Sequence, residues 1–227
     1  MKALSTINTI LFIICIPVLL ITTNVRFAVN DIRLYEYGFN KYEVSKTTGL
    51  DNEKLTQTAQ RLIDYFNSDE EFTDIEVFQE REIAHLKDVK GLIQLVYRLQ
   101  IGIMFFILIY IAFNFLLLRR ALWREIAKRL VWGGLATIGL IAVLGFLALV
   151  GFDDLFLWFH LVSFRNELWQ LSPDAMLLLM FPQSFFNDAT LFIAAGTILE
   201  AAVIGGIAWV LLRRKRQAES EPASSQE

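Results

Sequence analysis

The chain has little of what many soluble enzymes use for structure and chemistry. Among 227 residues there is one cysteine, Cys15, and there are two histidines, His85 and His160. A single cysteine excludes an intramolecular disulfide framework. Its place inside the first apolar block reads as a small lipid-facing hydrophobe. One cysteine and two histidines are too few ligands for a structural zinc site, and His85 has no histidine four residues on to build a catalytic one. No metal and no cofactor are therefore expected. The chain has no G-x-S-x-G elbow and no phosphate-cradling P-loop, and no nucleic-acid partner is expected. Without a convincing nucleophile, the chemistry open to this chain is acid–base catalysis within one bound substrate rather than a covalent acyl-enzyme.

What the chain has in abundance is apolar sequence. It is 55% hydrophobic, with a mean hydropathy of +0.47. The apolar residues come in four blocks, Ile7 to Ala28, Leu99 to Leu118, Leu130 to Val150 and Leu191 to Leu212. Each approaches or exceeds the roughly 20 residues that cross a bilayer as a helix. The first block has only Lys2 as a basic start and no A-x-A-like site after it, so it reads as a retained helix rather than a signal peptide. Arg119, Arg120, Arg124, Lys128 and Arg129 follow the second block, and Arg213, Arg214, Lys215 and Arg216 follow the fourth. Positive charge stays in the cytoplasm, so both termini are expected there and the acid-rich segments 29–98 and 151–190 outside.

The expected fold is all-α. Four transmembrane helices over residues 1–212 form one domain with a small helical extracytoplasmic cap and an interfacial or re-entrant outer loop, and 213–227 form a disordered cytoplasmic tail. Gly133, Gly134, Gly139, Gly145, Gly196, Gly205 and Gly206 would let the spans approach closely. Beyond Asn114 and Glu200 the spans carry almost no polar residue, and no half of the chain repeats. Both facts argue against a transporter.

In the first outer segment, Leu55, Ala59, Leu62, Ile63 and Phe66 recur at helical spacing after Asp51, a suitable N-cap. Tyr35, Tyr37 and Tyr42 read as an aromatic belt. A helix leading into the second span carries Glu82, His85 and Asp88 at i, i+3 and i+6, so both acids can lie beside the imidazole and support it as a base. The second outer segment is aromatic. Trp158, Phe159, Phe164, Trp169, Phe181, Phe185 and Phe186 suggest a surface that sits among lipid headgroups. Ser172-Pro173-Asp174 reads as a helix start, and Pro182 as a break. Polar residues in so apolar a setting are costly, which marks His160, Arg165, Asn166 and Asp188 as candidates for lining a site.

The elements E-x-x-H-x-x-D-V-K from Glu82 and F-H-x-x-x-F-x-N-x-x-W from Phe159, set among four spans, resemble the bacterial integral membrane family of lipoprotein intramolecular transacylases. The resemblance covers essentially the whole chain. It implies a cell-membrane acyltransferase that takes diacylglyceryl-modified bacterial lipoproteins and moves one acyl chain from the second glycerol carbon to the α-amino group of the N-terminal cysteine, giving the lyso-form. It implies His85 and His160 as catalytic residues, with Glu82, Asp88, Arg165, Asn166 and Trp158 supporting or binding substrate at the extracytoplasmic face. On this reading one histidine takes the amine proton and the other serves the oxyanion or the leaving oxygen; His85 as base and His160 as its counterpart is one assignment, and the sequence does not decide which histidine has which role. The partners implied are the lipoprotein and membrane lipid, with no external acyl donor. The competing class is a non-enzymatic membrane scaffold that binds a partner through its outer cap and has no use for the histidines.

Overall fold

The structure, a computed structural model, describes residues 2–118 and 122–220. Arg119 and Arg120, the side chains of Asn114, Lys215 and Arg216, and the tail from residue 221 lie outside the described residues. The described chain is helical, without strands. In order it forms α1 (Lys2–Asn30), α2 (Ile32–Lys41), α3 (Val44–Thr48), α4 (Asn52–Asn67), α5 (Glu80–Leu118), α6 (Leu122–Ser163), α7 (Met176–Met180) and α8 (Gln183–Ser220). The helices α1, α5, α6 and α8 are long and apolar enough to cross a membrane. This is the all-α, four-span architecture that the apolar blocks demand, because a backbone in hydrocarbon must satisfy its own hydrogen bonds.

The chain divides into two compact units. The first contains residues 1–23, 99–144 and 194–227. Phe12, Cys15, Ile16 and Leu20 of α1 pack there with Ile107 of α5 and Ala201 of α8. Cys15 is thus buried in a helix interface rather than facing lipid. Two of the small residues do what their size suggests: a Cβ at Gly133 would stand 2.8 Å from Ile16, and one at Gly134 would stand 2.9 Å from the Ala201 carbonyl. Gly139, Gly145 and Gly206 meet open space instead.

The second unit contains residues 24–98 and 145–193, which gathers both outer segments into one body. Asp51 caps α4 by accepting the Lys54 N–H at 2.7 Å, and Leu55, Ala59, Leu62, Ile63 and Phe66 fall on its buried face. They pack with Phe39 of α2, Val44 of α3, Leu86 of α5, Met180 of α7 and Phe185 of α8. Fully burying side chains of this size contributes roughly 1.5–3 kcal/mol each.

Three local expectations are corrected here. Tyr35 is buried in this core, its hydroxyl donating to the Val29 carbonyl at 2.9 Å. Tyr42 donates to Asp188 at 2.7 Å, so these two rings are structural members rather than an aromatic belt. Phe164, Phe181 and Phe185 are likewise core residues. Ser172-Pro173-Asp174 forms a turn closed by Ala175 N–H to Ser172 carbonyl at 2.9 Å, and the helix begins at Met176. Pro182 does separate α7 from α8. The long helix α6 breaks at Gly151, whose φ of −165° and ψ of 74° are non-helical. That break falls where the third apolar block ends.

Gly38 lies against the buried Phe185 ring, which a Cβ would approach to 2.4 Å. That ring is confined by Tyr35 and Phe181, so it cannot yield cheaply. Gly38→Ala is expected to destabilise the protein by about 1–3 kcal/mol, seen as a lower melting temperature in detergent. Adding Phe185→Leu should restore part of the loss, and an unchanged melting temperature for Gly38→Ala would refute this packing.

Candidate active site

The second unit brings the two histidines together from distant parts of the chain. His85 sits on the second turn of α5, within the charged stretch that precedes the apolar run beginning at Leu99. His160 sits near the end of α6, beyond the Gly151 break. Their ring centroids are 6.4 Å apart, with the planes inclined by 30°. The Phe164 ring stands edge-on to His85 at 5.1 Å and lies 5.6 Å from His160. Phe156, Phe159 and Trp169 complete the surroundings of His160, at 4.4, 5.4 and 5.1 Å.

The two rings differ in their hydrogen bonding. His160 Nδ1 lies 2.8 Å from the Phe156 carbonyl oxygen. A carbonyl only accepts, so Nδ1 is the protonated nitrogen and the neutral ring keeps its lone pair on Nε2. His85 is buried, and its Nδ1 has no hydrogen-bond partner among the described residues. Burial disfavours the imidazolium, and charge on His160 disfavours it further. Asp88 opposes both, yet the net effect takes the His85 pKa down from 6.5 to about 4. His85 is therefore neutral at physiological pH, and the neighbouring rings discourage simultaneous protonation.

The supporting residues divide into three groups. Glu82 is almost fully buried and turned away from imidazole chemistry. It accepts the Gln79 N–H at 2.7 Å and the Leu177 N–H at 2.6 Å. The first bond closes the N-terminus of α5, whose opening helical bond runs from Ile83 N–H to the Gln79 carbonyl. The second fastens α7 to α5. Asp88, Asn166 and Arg165 form a second group, lining a cleft of about 290 Å³ that Phe164 also walls. In it Asn166 donates to Asp88 at 2.8 Å and accepts the Leu168 N–H at 3.0 Å. Arg81 reaches across to the Glu167 carbonyl at 2.6 Å, a further tie between α5 and this loop. Trp158 stands apart, 65% exposed. Asp188 belongs to a structural cluster with Lys41 and Tyr42. Phe156 is a site residue the sequence reading missed; it lies one helical turn before His160, where an i−4 carbonyl can meet a histidine side chain. No cluster of three or more His, Cys, Asp or Glu suited to a metal occurs among the described residues.

This arrangement sets two imidazoles of different hydrogen bonding side by side inside an aromatic enclosure, the His160 ring anchored through Nδ1 and the His85 ring buried and neutral. It suits proton transfer to and from a substrate with an apolar portion.

A family model described as lipoprotein intramolecular transacylase Lit matches residues 10–186. The fold is similar to the in meso structure of the membrane integral lipoprotein intramolecular transacylase Lit from Bacillus cereus. The TM-score is 0.82 at 17% identity, over 96% of this chain and 100% of that one. A structure of the same Bacillus cereus protein with a histidine-to-arginine mutation matches with a TM-score of 0.80, also at 17% identity, over 96% of each chain. A protein of Aquifex aeolicus (strain VF5) described as uncharacterized is 29% identical over 117 residues. That alignment spans 52% of this chain and half the length of that relative.

A His85 pKa held at about 4 links stability to pH. The unfolded chain takes up a proton near pH 6.5 that the folded chain refuses until about pH 4, so stability is lost as pH falls through that window. Thermal unfolding of the wild type in detergent should weaken between pH 6.5 and 4 relative to His85→Leu, by up to about 3 kcal/mol. Parallel pH profiles for the two proteins would show that His85 is not held neutral by burial.

Proposed function

The chain belongs to the lipoprotein intramolecular transacylase family, membrane acyltransferases, and we propose that it moves the acyl chain on the second glycerol carbon of a diacylglyceryl lipoprotein to the α-amino group of that lipoprotein's N-terminal cysteine. The observation that carries the reading is the approach of His85 and His160, 6.4 Å apart, from two separate outer segments. Amine and ester reside on one molecule, so the enzyme's main task is to hold a ring of roughly eight atoms in reactive geometry. The charge bias of the loops supports cytoplasmic termini and histidines that face the extracytoplasmic side.

The hydrogen bonding of the two rings supports a division of labour that the sequence left open, with His160 as base and His85 as donor. An N-terminal ammonium loses one proton to solvent near pH 8, and the free amine attacks the ester carbonyl, forming the N–C bond. His160, its Nδ1–H anchored on Phe156, takes the second amine proton at Nε2. His85, kept neutral by burial, donates an N–H to the developing oxyanion, where a neutral imidazole is a better-matched donor than a charged one that would itself lose its proton. Collapse breaks the C–O bond to glycerol. His160 then returns its proton to that oxygen, leaving an amide and a free hydroxyl. Asp88 and Asn166 fix the edge of the site.

Mass spectrometry of a diacylglyceryl lipopeptide incubated with the enzyme tests this directly. The expected product has unchanged total mass, with fragments placing one acyl chain on nitrogen. His85→Ala and His160→Ala should each lower the rate by about 10²- to 10⁴-fold without loss of membrane insertion. A mass increase of one acyl group would mean an external donor, and full activity in either variant would exclude the mechanism.

A further inference from the structure

We infer that the cleft between α5 and the loop after α6 is the route by which the substrate leaves the bilayer and reaches the histidines, its polar end receiving the cysteine backbone and its apolar end an acyl chain. This rests on the transacylase reading above. The cleft changes character along α5. Asp88 lies at one end with Asn166 and Arg165, and Leu92 and Leu95 line the following turns, immediately before the apolar run from Leu99. An amphipathic ligand with its tail toward hydrocarbon and its charged head away from it matches that gradient.

The head-group chemistry is present in pairs. The Asp88 carboxylate, held by Asn166 at 2.8 Å, is a counter-ion for an α-ammonium. The exposed Arg165 guanidinium, with no hydrogen bond to a described residue, can donate to the adjacent peptide carbonyl. The two groups are adjacent in any N-terminal residue. Phe164 forms the inner wall and touches both imidazoles, so a head group seated here is one ring away from the base.

Gly91 keeps the cleft open: it lines the floor, and a Cβ there meets nothing within 4 Å. A large side chain at this position fills the cleft without disturbing the packing of α5. Gly102, on the same helix, also meets nothing within 4 Å and lies outside the cleft, so Gly102→Phe is the matched control. With a synthetic diacylglyceryl lipopeptide in vesicles, Gly91→Phe should lower kcat/KM about a hundredfold at an unchanged melting temperature, while Gly102→Phe keeps wild-type turnover. A photoreactive p-benzoylphenylalanine replacing Leu95, which is 56% exposed, should crosslink to the lipopeptide's acyl chain, and the same group replacing Phe72, exposed in the segment between α4 and α5 and outside the cleft, should not. Crosslinking reports binding without turnover. Absence of turnover in the wild type together with specific crosslinking at Leu95 would overturn the reaction but keep the route. Turnover in the wild type with undiminished turnover in Gly91→Phe, or with no crosslink at Leu95, would overturn the route.

Discussion

Both oxygens of Glu82 are taken by backbone N–H groups, one from Gln79 and one from Leu177, and the arrangement of the second unit follows from that pair of bonds. The first closes the start of α5, from a residue three before His85. The second holds α7, and with it the aromatic outer segment that follows α6, against the same helix turn. Hydrogen bonds to a charged acceptor contribute about 1.5–3 kcal/mol each, and in so buried a place the carboxylate has no water to compensate for their loss. A polar group this deep is costly alone and specific when fully satisfied. It fixes one docking of the loop on α5, and the loop in turn carries Phe164, Asn166 and Trp169 to the histidines.

The aromatic walls then set the chemistry. Four rings crowd His160 and one of them is shared with His85, which keeps water from the more deeply buried imidazole and holds it neutral. The two histidines are alike as residue types and unlike as reagents. One has a donor anchored on a carbonyl and a free lone pair, and the other is a buried neutral ring. That difference arises wholly from tertiary surroundings, since each sits on a helix with ordinary backbone geometry.

The apolar blocks and the helix from Asp51 were legible because hydropathy and capping are local, whereas the continuation of α6 past the end of the third block, across the break at Gly151 to Ser163, was not. The two histidines were legible as a candidate pair through the motif around each. Their proximity was not, because it joins residues far apart in the chain. Glu82 was misassigned for the same reason: its spacing from His85 on α5 suggested support for the imidazole, whereas its partner Leu177 lies 95 residues away. Tyr35 and Tyr42 looked like interfacial anchors because amphipathic rings near a span usually are, and the core that claims Tyr35 draws in residues of α4, α5, α7 and α8 that lie far from it in sequence. Asp88 and Asn166 illustrate the remaining case, two polar residues singled out separately whose hydrogen bond to each other only the fold could supply.

The central claim is that the Glu82 clasp builds an enclosure in which His85 is neutral. The most direct test is to follow the His85 imidazole by ¹⁵N NMR through a pH titration, in the wild type and in Glu82→Gln. The account predicts titration near pH 4 in the wild type and a shift toward the ordinary value of about 6.5 once the clasp is weakened. Titration of the wild-type His85 near pH 6.5 would contradict it.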